Sequence, residues 1–163
     1  VTTGTHILAG VIAALYLNLP VLPAVIGSVI PDIDIKNGFP KKRNLFNTHR
    51  GITHHIAIPV TLIALSFYLK ETNFSLIYKN LLSFSIGYTT HILLDTLTPL
   101  GIPYTHKFYP RISLKVFRSN KISEIIVFLA LLLILTTVLN KKKLNLNSLI
   151  GEENISIINS VLK

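Results

Sequence analysis

Asn18-Leu19-Pro20-Val21-Leu22-Pro23 sits in the middle of an uncharged stretch that runs from Ile7 to Pro31. As one helix that stretch would be about 37 Å long, more than the ~30 Å hydrocarbon core of a bilayer. Paired prolines are poor helix interior, because each lacks an N–H and clashes with the preceding turn. The stretch therefore predicts two short helices, over about 4–18 and 22–31, folded back on each other as a hairpin. That hairpin decides the fold. It returns Asp32, just past the second helix, to the side where His6 begins the first.

The same geometry repeats downstream. A third helix is expected from Thr53, which can serve as an N-cap, to Lys70. The short turn Glu71-Thr72-Asn73-Phe74 leads into a fourth helix over 75–97, so the two must pack antiparallel. His54 then lies level with His91 and Asp95, which share one face of helix four at a spacing of i, i+4. A fifth helix, over 121–140, is nearly pure Leu, Ile and Val. The tail Leu144–Lys163 is amphipathic and suits the membrane surface. The expected fold is an all-α, membrane-embedded bundle of about five helices that opens with a proline-broken hairpin.

Composition supports that environment. Half of the 163 residues are hydrophobic and only 14% are charged, against roughly 25% charged in soluble domains. Mean hydropathy is +0.55. A soluble bundle with a very apolar core is the alternative. No basic segment or small-residue cleavage site opens the sequence, so no signal peptide is expected, and the absence of Met implies that an initiator has been removed or lies outside it. With no Cys, disulfides and thiolate ligation are excluded, and a metal site must use nitrogen and oxygen.

The net charge is +9. Lys36, Lys41, Lys42, Arg43 and Arg50 follow Asp34, and Lys107, Arg111, Lys115, Arg118 and Lys121 follow Asp95. Lys141-Lys142-Lys143 closes the last apolar helix. Basic flanks on apolar spans point to anionic headgroups and a cytoplasmic face. They lack the interleaved aromatics of a nucleic-acid reader, so membrane lipids and a small anionic substrate are the expected partners. Oligomeric state is not legible.

Only seven acidic residues occur in the chain, and its three aspartates all fall beside histidines. Burying a carboxylate costs several kcal/mol unless a cation compensates it. His6, Asp32, His49, His54, His91 and Asp95 are the expected ligands of one or two divalent ions, with Zn²⁺ preferred over Mn²⁺ or Fe²⁺. Asp34, two residues from Asp32, would share its direction in extended chain and act as ligand or general base. Arg50 would hold a substrate anion. His55 must face away from His54, and His106 has no assigned role. Each cluster also has a plainer reading: an intrahelical His–Asp pair, a polar loop, or a turn aspartate.

Thr5-His6-x3-Gly10, Pro31-Asp32-x-Asp34, His49-Arg50-Gly51-x-Thr53-His54 and Gly87-Tyr88-x2-His91-x3-Asp95-x2-Thr98-Pro99-x-Gly101 together resemble the membrane-bound, predicted metal-dependent hydrolases that include a LexA-regulated inner-membrane protein. The resemblance covers about residues 1–118 and implies an integral membrane protein with a hydrolase site. The His-x3-Asp element also looks like the zinc-dependent phospholipase C and nuclease fold, although Glu124 is the only further ligand candidate after His106.

The combined expectation is a membrane-bound, metal-dependent hydrolase domain over 1–140 and a basic, amphipathic tail over 141–163. Its substrate would be a phosphoester, lipid-linked or nucleotide-like, or a related ester, attacked by metal-activated water on the cytoplasmic side. The alternatives are a non-catalytic metal-binding or metal-transporting membrane protein and a structural protein whose His/Asp pairs only join helices.

Overall fold

The computed structural model describes residues 1–37, 44–72 and 74–161, the side chains of 35–37, 75–76 and 144–161 excepted. Lys41, Lys42 and Arg43 and the side chain of Lys36, four of the five cations expected in the first basic segment, thus lie outside the described residues. Five α-helices carry the fold: α1 (Thr3–Tyr16), α2 (Val21–Val29), α3 (Ala57–Lys70), α4 (Ser75–Thr96) and α5 (Ile122–Val161). Two 3-10 helices, Ile30–Asn37 and Ile52–His54, and a short antiparallel ribbon complete it. In the ribbon, β1 (Ile102–Pro103) pairs with β2 (Arg111–Ile112).

Pro20 is the N-cap of α2, and Pro23 lies in its first turn, where a missing N–H costs nothing. Pro59 has the same effect on α3. A helix beginning at Thr53 would need the absent Pro59 N–H to reach the His55 carbonyl, so α3 starts at Ala57 instead. The Ala57 N–H donates to His55 Nδ1 (3.2 Å), which makes His55 a capping residue. Thr53 falls in the preceding 3-10 turn.

α4 is the axis of the bundle. Its closest neighbour is α2, and glycines at the crossing allow the approach. A Cβ on Gly27 would strike the Phe84 backbone, and one on Gly87 would strike the Ala24 backbone. Small residues bring helices together in this way when apolar surroundings offer no hydrophobic drive between them. On the other side of α4, Tyr88 and Ile92 form a core with Ile102 of the ribbon, flanked by Ile58 and Leu62 of α3. Gly101 turns the chain into that ribbon at a φ of +62°, a conformation that favours glycine.

Ile122–Lys143 is the one described helical segment long and apolar enough to cross a bilayer. Only 6% of its most apolar window is buried within the protein, so much of its apolar surface faces outward. Helix α5 runs on unbroken through Lys141–Lys143 to Val161, well past the end expected near residue 140. Its start is tied to α1 by Glu124. That carboxylate accepts hydrogen bonds from the N–H groups of Thr2 (2.5 Å) and Asn120 (2.6 Å) and from the Thr5 hydroxyl (3.3 Å). Glu124 therefore joins helices and stands outside the His/Asp cluster.

Replacing Gly87 by Ala is expected to cost about 1–3 kcal/mol through overpacking against α2. The readout is a lowered Tm in detergent. Gly4→Ala, whose Cβ would meet open space, is the control with an unchanged Tm.

Candidate metal centre

The helix ends bring His6, Asp32, Asp34, His49, His54, His91 and Asp95 into one cluster. His6, His54, His91 and Asp95 have no solvent exposure. α1 contributes His6 from its first turns, and α4 contributes His91 and Asp95 near its end. The two 3-10 helices deliver Asp32, Asp34 and His54. His106 is exposed in the loop between β1 and β2, apart from the cluster.

Hydrogen bonds around the cluster dictate which imidazole nitrogens face inward. His91 Nδ1 lies 2.7 Å from the Ser28 carbonyl oxygen. A carbonyl only accepts, so Nδ1 carries the proton and Nε2 keeps its lone pair. Ser28 lies in the last turn of α2, and Pro31 has no N–H to offer that carbonyl in the 3-10 turn that follows. His54 is oriented similarly. Its Nδ1 is 3.1 Å from the Thr53 hydroxyl and 3.4 Å from Asp34 Oδ2, while Thr53 donates to the same Oδ2 (2.5 Å).

Two lone pairs therefore face each other, because His54 Nε2 and His91 Nε2 are only 3.1 Å apart. That arrangement needs a proton or a cation between them. Asp32 Oδ1 lies 3.6 Å from His54 Nε2 and 3.5 Å from His91 Nε2. Asp95 Oδ2 lies 3.3 and 3.7 Å from the same two nitrogens. A tetrahedral ion with N/O bonds of 2.0–2.2 Å has donor–donor edges of about 3.3–3.6 Å. The spacings of the two nitrogens from each other and from each carboxylate oxygen, 3.1–3.7 Å, are close to such edges. His6 adds a third imidazole, stacked on His91 with ring centroids 3.6 Å apart, its Nε2 3.5 Å from Asp95 Oδ1.

Unsatisfied atoms point the same way. His6 Nδ1, His6 Nε2 and Asp95 Oδ2 are buried without a hydrogen-bond partner, which is costly unless a ligand completes them. Three carboxylates share the site with the Arg50 guanidinium and the Val1 ammonium, which lies 3.3 Å from Asp95 Oδ1, so negative charge remains for a cation to neutralise. Two ligand triads can be drawn, His6–His91–Asp95 and Asp32–His54–His91. Both use His91, whose one inward lone pair binds one ion.

Asp32 and Asp34 do not share a direction, because the chain is a 3-10 helix here and not extended. Asp32 turns to the imidazole nitrogens, while Asp34 sits behind them. Asp34 Oδ1 accepts from His49 Nδ1 (2.7 Å), and Oδ2 serves Thr53, His54 and the Gly51 N–H (3.3 Å). His49 Nε2 stands 4.0 Å from Asp32 Oδ1, at the rim. Arg50 is buried with a φ of +59°. Its guanidinium contacts Asp95 Oδ1 (2.7 Å) and the Thr98 hydroxyl (2.7 Å). Arg111 donates to the carbonyls of Arg50, Leu100 and Gly101, so Arg111 is an internal brace, while Arg50 is tied to Asp95 at the edge of the cluster. Lys107, Lys115, Arg118 and Lys121 are the exposed cations of that segment.

Sequence reasoning assigned no role to Ser28, Thr53 or Thr98 in orienting the site. Thr53 and Thr98 stand inside the quoted motifs, but their hydroxyl partners depend on folding. Ser28 acts through a backbone carbonyl, for which a sequence carries no signal.

Burial opposes ionisation of Asp32 and Asp34. Hydrogen bonds from the histidines outweigh it and hold both carboxyls well below the usual range. Burial also opposes charge on His54, but Asp32, Asp34 and Asp95 push its pKa up to about 9. Without an ion, that proton occupies the space between the two Nε2 atoms. Its stabilising effect is full below the unfolded value of 6.5 and is lost as pH rises through 9. An ion must displace the proton, so metal affinity is expected to rise about tenfold per pH unit up to pH 9, with proton release visible by calorimetry in buffers of different ionisation enthalpy. Asp34→Asn removes the anchor of both His49 and His54. It is expected to weaken metal binding about 10–100-fold in a competition titration while helix content by circular dichroism stays unchanged.

Comparison with known proteins supplies the family. The family model described as YdjM inner membrane protein matches residues 1–154. Inner membrane protein YdjM of Escherichia coli (strain K12) is 35% identical over 89 residues, which cover 49% of this chain and 45% of that protein. The protein of the same name from Shigella flexneri matches equally. The aligned region thus spans about half the length of these curated relatives. No solved structure matches the chain. The extent of the family match places this chain in the YdjM inner membrane protein family.

Proposed function

We propose that this membrane protein is a metal-dependent hydrolase of phosphoesters, working at the cytoplasmic boundary of the bilayer. The observation that carries the reading is the pair of inward-facing imidazole lone pairs 3.1 Å apart, with carboxylate oxygens of Asp32 and Asp95 3.3–3.7 Å from them. Buried histidines that only joined helices would place a donor opposite an acceptor, as Ser28 and His91 do.

His54, His91, Asp32 and Asp95 would hold one ion, with His6 beside it. Zinc suits this nitrogen and oxygen set, as do manganese and iron. Bound there, the ion supplies Lewis acidity that makes hydroxide available near neutral pH. The remaining steps belong to the chain. Because His49 Nδ1–H donates to Asp34 Oδ1, the basic nitrogen of His49 is Nε2, and His49 lines a cleft of about 370 Å³ beside the cluster. His49 Nε2 accepts the proton of the attacking water as its oxygen bonds to phosphorus. The ester P–O bond breaks, and the proton passes to the leaving alkoxide. Arg50 also lines this cleft, where its charge favours a substrate anion. Exposed basic residues beside the site support a cytoplasmic face.

A transport role fits less well. Ion pathways place their ligands near the membrane midplane, whereas this cluster gathers at the end of α4 beside the start of the α5 span.

Purified protein is expected to contain about one equivalent of zinc, manganese or iron by elemental analysis, and to hydrolyse synthetic phosphoesters only while the metal is present. His91→Ala and Asp32→Asn should each lower metal content and reduce turnover more than about 100-fold. Protein without stoichiometric metal, or with turnover indifferent to chelation, refutes the reading. Metal uptake into vesicles without hydrolysis would favour transport.

A further inference from the structure

The cleft beside the cluster is not closed. Its wall runs from His49 and Arg50 past Arg118 to Asn120. Asn120 also borders a second groove of about 470 Å³, lined on one side by Thr2 and Thr5 and on the other by Ile122, Ile125 and Phe128. The first cavity is the more polar of the two and the second mainly apolar, and they meet at this one residue.

Ile122, Ile125 and Phe128 recur at three-residue spacing and share one face of α5. They begin the segment that crosses the bilayer, and Ile122 and Ile125 are 77% and 58% exposed. Arg118 and Lys121 stand exposed at the junction, and among the described residues neither is paired with a carboxylate. The surface therefore offers, in sequence, a site for an anion, two cations at headgroup level, and an apolar track about 9 Å long.

We propose that this surface binds a membrane amphiphile with a phosphate-ester head, the phosphate lying between His49, Arg50 and Arg118 and the hydrocarbon chain along Ile122–Phe128. A nucleotide is disfavoured because, among the described residues, no Phe, Tyr or Trp lines this cleft to stack on a base. The chemistry at the phosphorus rests on the hydrolase reading; recognition of the amphiphile does not.

The test uses the full chain in detergent and a series of n-alkyl phosphates from ethyl to decyl, kept below their micelle concentrations. Each methylene seated in the groove should raise kcat/KM about fourfold, with a plateau once the ~9 Å track is filled. Ile125→Trp, which fills the groove, should flatten that slope. A second readout is independent of turnover. An octyl phosphate carrying a terminal diazirine should label the 118–128 segment, competed by octyl phosphate but not by octyltrimethylammonium of equal chain length. Arg118→Gln and Lys121→Gln should each weaken that labelling about fivefold. Turnover without chain-length dependence overturns this proposal and leaves the hydrolase reading intact. Labelling outside the segment, or equal competition by the cationic amphiphile, also overturns it. Specific labelling without turnover supports it and removes the hydrolase reading instead.

Discussion

The hydrogen bond from His91 Nδ1–H to the Ser28 carbonyl is the constraint on which the site depends. It forms because α2 and α4 approach closely, and they do so because Gly27 and Gly87 have no Cβ to hold them apart. Pro31 then keeps the 3-10 turn after α2 from offering its own N–H to that carbonyl. With Nδ1 committed, the lone pair of His91 points into the cluster, and His6 stacks on the ring's face. A loss of packing at the glycines would thus be felt as a misdirected nitrogen, far from any charged residue.

Asp34 plays the corresponding part for the loop. One carboxylate serves His49, His54, Thr53 and the Gly51 N–H, so four groups on a segment with little regular structure are held by a single side chain. Tyr88 of α4 donates to the Thr53 carbonyl and locks the segment to the bundle. Buried carboxylates are tolerable only where each is compensated. Here Arg50 answers Asp95, and the imidazoles answer Asp32 and Asp34. Negative charge remains, and it gives the cluster its demand for a cation.

Much of this was legible before folding. The prolines at 20 and 23 announce the hairpin, and the i, i+4 spacing of His91 and Asp95 gives them a common face on any helix. Other readings failed for local reasons. Thr53 looks like an N-cap, yet Pro59 moves the helix start four residues on. Asp32 and Asp34 look like a parallel pair, yet the 3-10 geometry sends them to opposite sides of the imidazoles. Arg111 looks like a surface cation, yet it braces three carbonyls, and Arg50, expected at a substrate anion, also pairs with Asp95.

By itself, the sequence determined what depends on neighbours along the chain: helix positions and breaks, an apolar span, and the gathering of histidines and aspartates at helix ends. Periodicity and proline chemistry are local, so they can be read locally. Only the tertiary structure decided which nitrogen of each histidine faces inward, which aspartate approaches the nitrogens and which stands behind them, and how the polar cleft meets the apolar groove at Asn120. Those outcomes depend on backbone carbonyls and on helix approach distances. Residues far apart in the chain fix both, and no spacing in the sequence encodes them.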